Sequence, residues 1–301
     1  MFDLAFETIG NATLICYDKV PILITDPWIN GHPYFGSWQL SHIIPKAQLQ
    51  AIKQSKYCWI SHAHPDHLNV DSLHLINNKH ILLPDHYGKR IFYDLKNQDF
   101  NVTILKDRKW YVLSKNIKIL CISHVNQDAI LLINMNGKLI LNFNDCPMPD
   151  EFCQKYLSKI INNSSQSFLL KLTGFGDADM INYYDQNNNF IPRTPIDVKE
   201  TIGSRISKIT NKLGIDYFIP FSSMHRYQRA DSIWANQYTA KLSDYSKGFN
   251  STISEILPAF IRYNCIKEKI EEINPSENAY QIIKPELYND NWSDELNQNN
   301  L

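Results

Sequence analysis

Apolar residues recur along the first half of this chain in short runs broken by polar punctuation, a pattern of strands more than of helices. Thr13–Tyr17 and Ile22–Thr25 read as strands turned at Asp18-Lys19. Gln48–Lys53 has helical spacing, and Tyr57–Ile60 is an apolar strand that feeds a polar loop. Val70–Ile76 suits a short helix with Asn69 as its cap. His80–Pro84, Val102–Leu105, Lys109–Leu113 and Ile117–Ser123 follow as strands. The clearest hairpin joins Ala129–Asn134 to Lys138–Asn142, because Asn136-Gly137 offers the backbone freedom a tight β-turn demands. Glu151–Ile161 reads as helix, Phe168–Leu172 as strand, Val198–Leu213 as amphipathic helix and Tyr217–Phe221 as strand. Ser251–Glu271 reads as a second long helical stretch, kinked or split by Pro258. Many strands followed by mixed strands and helices predict an α/β (α+β) protein with two sheets face to face and helices outside, a four-layer αββα sandwich. Residues 1–240 are expected to form the catalytic domain, and residues 241–301 a C-terminal helical extension packed on it.

Composition narrows the function classes. The 301 residues are 44% hydrophobic and 20% charged, with a net charge of −1. Such a balance argues against a nucleic-acid binder that works by neutralising phosphates. No apolar run reaches the roughly eighteen residues that span a bilayer. Met1–Glu7 lacks the basic and long apolar regions of a signal peptide, which predicts a cytoplasmic protein. Cys16, Cys58, Cys121, Cys146, Cys153 and Cys265 have no paired spacing and are expected to be free thiols. The chain has no Cys-x-His or Cys-x-x-Cys pattern to hold an iron–sulfur cluster.

The chemistry concentrates in Ser61-His62-Ala63-His64-Pro65-Asp66-His67-Leu68. Three imidazoles and a carboxylate so close together would lose much hydration free energy unless a cation sat among them. A divalent metal resolves this, since neutral imidazole and carboxylate are its usual ligands. In extended chain His62 and His64 face the same way and can share one ion. Pro65 then starts a turn that aims Asp66 and His67 toward a second. Further ligands are expected at the ends of later strands, where His124, Asp145 and His225 stand. The expected division is His62, His64 and His124 on one ion, Asp66, His67 and His225 on the other, and Asp145 bridging. Asp66 and Asp145 are the candidate catalytic groups. Asp26 is a candidate partner for the second nitrogen of a ligand histidine, or a turn residue before Pro27. His74, His80 and His86 lie in or beside regular elements and read as structural.

Substrate contacts are less sharply marked. Trp28, Tyr34, Phe35 and Trp38 form an aromatic stretch that either walls a cleft or packs as core. His32, between Gly31 and Pro33, is a candidate substrate contact in the same loop. Arg226 and Arg229, flanking Tyr227, either hold an anionic substrate or lie on a solvated face. Ser232, Trp234 and Asn236, and Asp177 and Asp179 in a glycine-rich loop, are further candidates to line the pocket.

His62-x-His64-x-Asp66-His67 with His124, Asp145 and His225 resembles the ligand series of the metallo-β-lactamase superfamily. Within it the chain is most similar to the metallo-β-lactamase-like domain of CMP-N-acetylneuraminate hydroxylases. The stretches Thr25–Ile29 with Tyr34–Trp38, Ile60–Leu68, Gly137–Cys146 and Ile219–Phe221 with His225 carry the likeness, which spans roughly residues 8–240. The resemblance implies an αββα fold and iron-dependent O2 chemistry. Those hydroxylases resemble two-part proteins whose other part bears a Rieske cluster. Its ligands are absent from this chain, so a separate electron donor is expected. Three functions follow in order: a diiron oxygenase acting on a small polar or anionic substrate; a dizinc hydrolase of a phosphodiester, amide or lactone; and a non-catalytic binding protein. The ligands contain no thiolate and suit iron and zinc alike.

Overall fold

The computed structural model describes residues 4–173, 182–184, 187, 189–192, 200–237 and 239–289. Asp177, Asp179 and the start of the expected helix at residues 198–199 lie outside the described residues.

Two large mixed sheets face each other. The first has eight strands, in the order Lys269–Glu272, Ile261–Asn264, Leu4–Ile9, Thr13–Asp18, Val20–Thr25, Tyr57–Trp59, His80–Pro84 and Asn101–Leu105. The second has seven, in the order Glu255–Ile256, Tyr217–Pro220, Gln166–Lys171, Lys138–Asn144, Ala129–Met135, Ile117–Ser123 and Trp110–Val112. Each sheet is antiparallel along one part and parallel along the other: Val20–Thr25 pairs in parallel with Tyr57–Trp59, and Lys138–Asn144 in parallel with Gln166–Lys171. Parallel neighbours end at the same edge, so this arrangement gathers several strand C-termini together.

Three layers of apolar packing follow. Phe6, Leu14, Leu23 and Trp59 of the first sheet meet Ile119, Leu131, Ile140 and Phe168 of the second in the central core. Helix Lys46–Gln54 buries Ala51 and Ile52, and helix Arg90–Lys96 buries Leu95, on the outer face of the first sheet. Helices Glu151–Ile161 and Ile202–Leu213 cover the second sheet through Leu157, Ile161, Ile206 and Leu213. The architecture is the expected αββα sandwich. Strands covered on both faces lose the polar alternation of a half-exposed sheet, which is why they read as continuous apolar runs.

Most expected elements stand where the pattern put them. His80–Pro84, Ile117–Ser123 and Glu151–Ile161 agree residue for residue. Asn69 caps the short 3-10 turn Val70–Leu75 by accepting from the Ser72 amide. Asn136 and Gly137 take φ of 52° and 94° in the tight hairpin turn.

The helix expected over Ser251–Glu271 is corrected. Glu255–Ile256 extends the second sheet, and Ile261–Asn264 and Lys269–Glu272 complete the first. Ile261 and Tyr263 face the core while Arg262 and Asn264 alternate outward, a period of two that overrides the looser helical spacing. Pro258 resists the helix, and Leu4–Ile9 would otherwise present an unpaired edge. The described part of the C-terminal extension thus forms strands and no α-helix. Among its described residues the helical pieces are single 3-10 turns at Leu242–Tyr245 and Pro285–Tyr288. No described helix is long and apolar enough to cross a membrane.

One contact on the outer layer yields a sign reversal. Ala is ordinarily favoured over Gly in a helix interior by about 1 kcal/mol. A Cβ at Gly203 would lie 2.5 Å from the Lys247 carbonyl and 2.6 Å from the Phe249 amide. Gly203→Ala should therefore lower the denaturation midpoint, whereas an Ala that merely improved helix propensity would raise it.

Candidate metal centre

The strand ends meet at one edge of the sandwich. Val20–Thr25 delivers Asp26, Tyr57–Trp59 leads into the histidine loop, Lys138–Asn144 delivers Asp145, and Tyr217–Pro220 leads to Ser222 and then His225. Asp26, Asn144 and Ser222 hold left-handed φ of 37°, 55° and 62°. The pairing register also slips between Asn142 and Asn144. Such irregularities turn side chains out of the ladder and cluster at functional sites.

Two groups of three donors form there. His62, His64 and Asp145 bring one ligand atom each within 4.8 Å of one another, and so do Asp66, His67 and Asp145. Asp145 is common to both. His62 Nε2 lies 2.7 Å from His64 Nδ1 and 3.9 Å from an Asp145 oxygen. His67 Nε2 lies 3.2 Å from Asp66 and 3.3 Å from Asp145.

Each of the two buried imidazoles turns its other nitrogen to a carboxylate. His67 Nδ1 is 3.2 Å from Asp26, and His62 Nδ1 is 3.5 Å from Asp128. Carboxylates so placed fix ring orientation and raise basicity in metal-binding histidines. Asp26 is itself fully buried and accepts from the Ser61 amide at 2.7 Å, the Ser61 hydroxyl at 2.8 Å and the Asn144 amide. Asp66 accepts from Asn11 at 2.9 Å and from the Tyr34 hydroxyl at 2.7 Å, and Asp145 accepts from the Ser222 hydroxyl.

Electrostatics follow from this crowding. Burial alone would depress His67, but Asp66 and Asp145 outweigh it and hold its imidazole well above the usual range. Burial would raise Asp66 and Asp145, and His67 pulls both below it. Burial, then His67, pushes His62 down to about 3. The donor set is nitrogen and oxygen throughout, and His67 takes the part of a cation among the carboxylates. These residues fit a pair of divalent ions, which would supply the positive charge.

The other expected site residues divide. His225 stacks on Trp38 with ring centroids 3.5 Å apart and planes 7° apart, beside the cluster but outside both donor groups. His124 also lies outside them, in the turn after Ile117–Ser123, with Nδ1 against the Asn126 side chain. Trp28, Trp38 and Tyr227 pack into one small core with Tyr34 against it, so the aromatic stretch is packing and cluster wall at once. His32 is exposed. Arg226 pairs with Glu277 at 3.1 Å, and Arg229 forks onto Asp231 at 2.8 and 2.9 Å and reaches the Phe35 carbonyl at 3.0 Å. Asn236 bonds both backbone groups of Tyr227.

Asn11, Ser61, Asp128, Asn144 and Ser222 did not stand out in the sequence. Asn144 left a signal, as a polar residue that with Asn142 closes a largely apolar buried strand.

Fold and cluster together define a metallo-β-lactamase-fold protein with a dimetal-type histidine–aspartate site. No family model matches the chain. In sequence it is similar to the cytidine monophosphate-N-acetylneuraminic acid hydroxylase of Asterias rubens, 30% identical over 138 residues, or 43% of this chain. The match spans only 21% of that protein's length. In fold it is similar to CmlA, a diiron β-hydroxylase from Streptomyces venezuelae, with a TM-score of 0.54, 13% identity, and 91% of this chain and 55% of that one covered. It is also similar to the isothiocyanate hydrolase from Delia radicum gut bacteria, with a TM-score of 0.53, 12% identity, and 86% and 98% covered. The fold therefore accommodates both hydroxylase and hydrolase, and the choice rests on chemistry at the site.

Buried neutral histidines give the metal-free protein a definite pH response. Burial pushes His62 down to about 3 and His42 down to about 4. The unfolded chain protonates both near pH 6.5. Between these values the unfolded state binds more protons, so stability falls as pH falls, by up to about 1.4 kcal/mol per unit for each group. Urea melts of metal-free protein at pH 7 and pH 5 should show the loss, and His42→Leu should shrink it. His67, held above its usual range, acts in the opposite sense, so a pH-dependent loss left unchanged by His42→Leu is the result that would contradict the burial of the His42 ring.

Proposed function

We propose that the protein is a dinuclear metal enzyme whose ions are iron, serving O2-dependent hydroxylation of a small polar or anionic substrate with electrons from a separate donor. The observation that carries the metal reading is that Asp145 belongs to both donor groups. In this reading His62 and His64 would hold one ion and Asp66 and His67 the other, with Asp145 within reach of both sets. His124 and His225, which lie outside both donor groups, would have to turn from Asn126 and Trp38 to join the first and second sets. The partial likeness to hydroxylases in sequence favours hydroxylation over hydrolysis.

Bound iron would supply O2 activation; the chain's own residues do the rest. Asp26 and Asp128 hold the His67 and His62 rings in register. Tyr34 keeps its proton, since burial and then the Asp66 charge raise its pKa, and donates it to Asp66 as a hydrogen bond. The Trp28–Trp38–Tyr227 cluster excludes water on that side of the centre. His32, Arg226 and Arg229 are the proposed substrate contacts, and the two arginines would have to exchange their present carboxylate partners for the substrate. Two zincs in the same positions would instead lower the pKa of water for hydrolysis.

Protein loaded anaerobically with ferrous iron should retain about two irons per chain and oxidise promptly on exposure to O2. Asp145→Ala should lose most of both. Retention of zinc in preference to iron, with no O2 uptake by the iron form, would overturn the oxygenase and leave the hydrolase.

A further inference from the structure

Asp66 is gripped from two sides by residues distant in the chain. The Tyr34 hydroxyl donates to one carboxylate oxygen at 2.7 Å. The Asn11 side-chain amide donates to the other at 2.9 Å, and His67 Nε2 lies 3.2 Å from that same oxygen. Asn11 stands in the turn between the strands Leu4–Ile9 and Thr13–Asp18, and it is buried. A turn asparagine ordinarily spends its side chain on its own backbone two residues on. Here the side chain goes elsewhere: its nitrogen to Asp66, and its oxygen to the Met224 amide at 2.8 Å. The Asn11 carbonyl also accepts from the Ser222 amide at 2.9 Å, and the Ser222 hydroxyl donates to Asp145. Asn11 thereby joins the histidine loop to the segment Ser222–Met224 by direct hydrogen bonds. Tyr34 holds a left-handed φ of 55°, with its ring centroid 4.5 Å from that of Trp38. Such a backbone is strained for a bulky residue and persists where the surroundings hold it.

We infer that Asn11 and Tyr34 are positioning residues that clamp Asp66, one on each oxygen, and so set the affinity of the ion on Asp66 and His67. The inference rests on the dinuclear reading. An ionised carboxylate offers about four lone-pair sites. The clamp takes one on each oxygen and leaves the others to face His67 and a cation. Free of its donors, the carboxylate could rotate about its side-chain torsions and would lose that aim. Hydrogen-bond partners of ligand groups typically govern metal affinity by about 10–100-fold. The clamp acts on one ion more than on the other: among the described residues, neither the His62 nor the His64 ring hydrogen-bonds to Asn11 or Tyr34.

The test is calorimetric titration of the whole metal-free chain with cobalt(II), which suits nitrogen and oxygen donors. The wild type should take up about two ions per chain. Tyr34→Phe removes one hydroxyl and keeps the ring against Trp38, so the fold survives. Asn11→Ala removes the other donor together with the acceptor for the Met224 amide. Each should weaken one ion by about 10–100-fold and leave the other unchanged, and the weakened ion should be the one that Asp66→Ala abolishes. A merely structural role would lower the urea midpoint without separating the two ions. Two ions bound as in the wild type by Tyr34→Phe, or both weakened alike in either variant, would overturn the clamp. Uptake of a single ion by the wild type would overturn the dinuclear reading, and the clamp with it.

Discussion

The structure turns on the burial of opposite charges at one edge of the sandwich. Asp26 and Asp66 lie in the interior, and Asp145 and Asp128 stand close behind them. Charges taken from water cost several kcal/mol each unless attraction and hydrogen bonds offset the loss. Here the offset is local. His67 sits within 3.3 Å of three of these carboxylates, and Asn11, Ser61, Tyr34, Asn144 and Ser222 donate to them. A pair of divalent ions would bring more positive charge than one imidazolium.

The sandwich makes this crowding affordable by rigidity. Parallel pairing sends the ends of Val20–Thr25 and Tyr57–Trp59 to the same edge as those of Lys138–Asn144 and Tyr217–Pro220. The central core of Phe6, Trp59, Phe168 and their neighbours fixes the spacing of the two sheets. The distance between the histidine loop and Asp145 is therefore set by packing remote from the chemistry. The chain after residue 240 contributes too, because Ile261–Asn264 and Glu255–Ile256 brace both sheets.

Much of this was legible in the sequence, for identifiable reasons. Covered strands such as Ile117–Ser123 announce themselves as apolar runs, and Asn136-Gly137 announces its hairpin. The histidine loop was legible because its candidate donors are contiguous, and Asp26 because it closes a strand. Ile261–Asn264 was not, since a four-residue strand whose partner is Leu4–Ile9 depends on a contact across almost the whole chain. Asn11, Asp128 and Ser222 were missed for the same reason. Nothing local distinguishes them from turn residues, and only the meeting of the two sheets gives them partners. Arg226 and Arg229 stood in sequence beside His225, yet each faces a carboxylate of its own, Glu277 and Asp231.

The central claim is that Asp145 joins two ions. Anomalous diffraction at the iron edge from crystals of the iron-loaded protein tests it most directly. The account predicts two peaks about 3.5–4 Å apart, with an Asp145 oxygen in contact with each. A single peak on His62 and His64, or metal bound with Asp145 uninvolved, would contradict it.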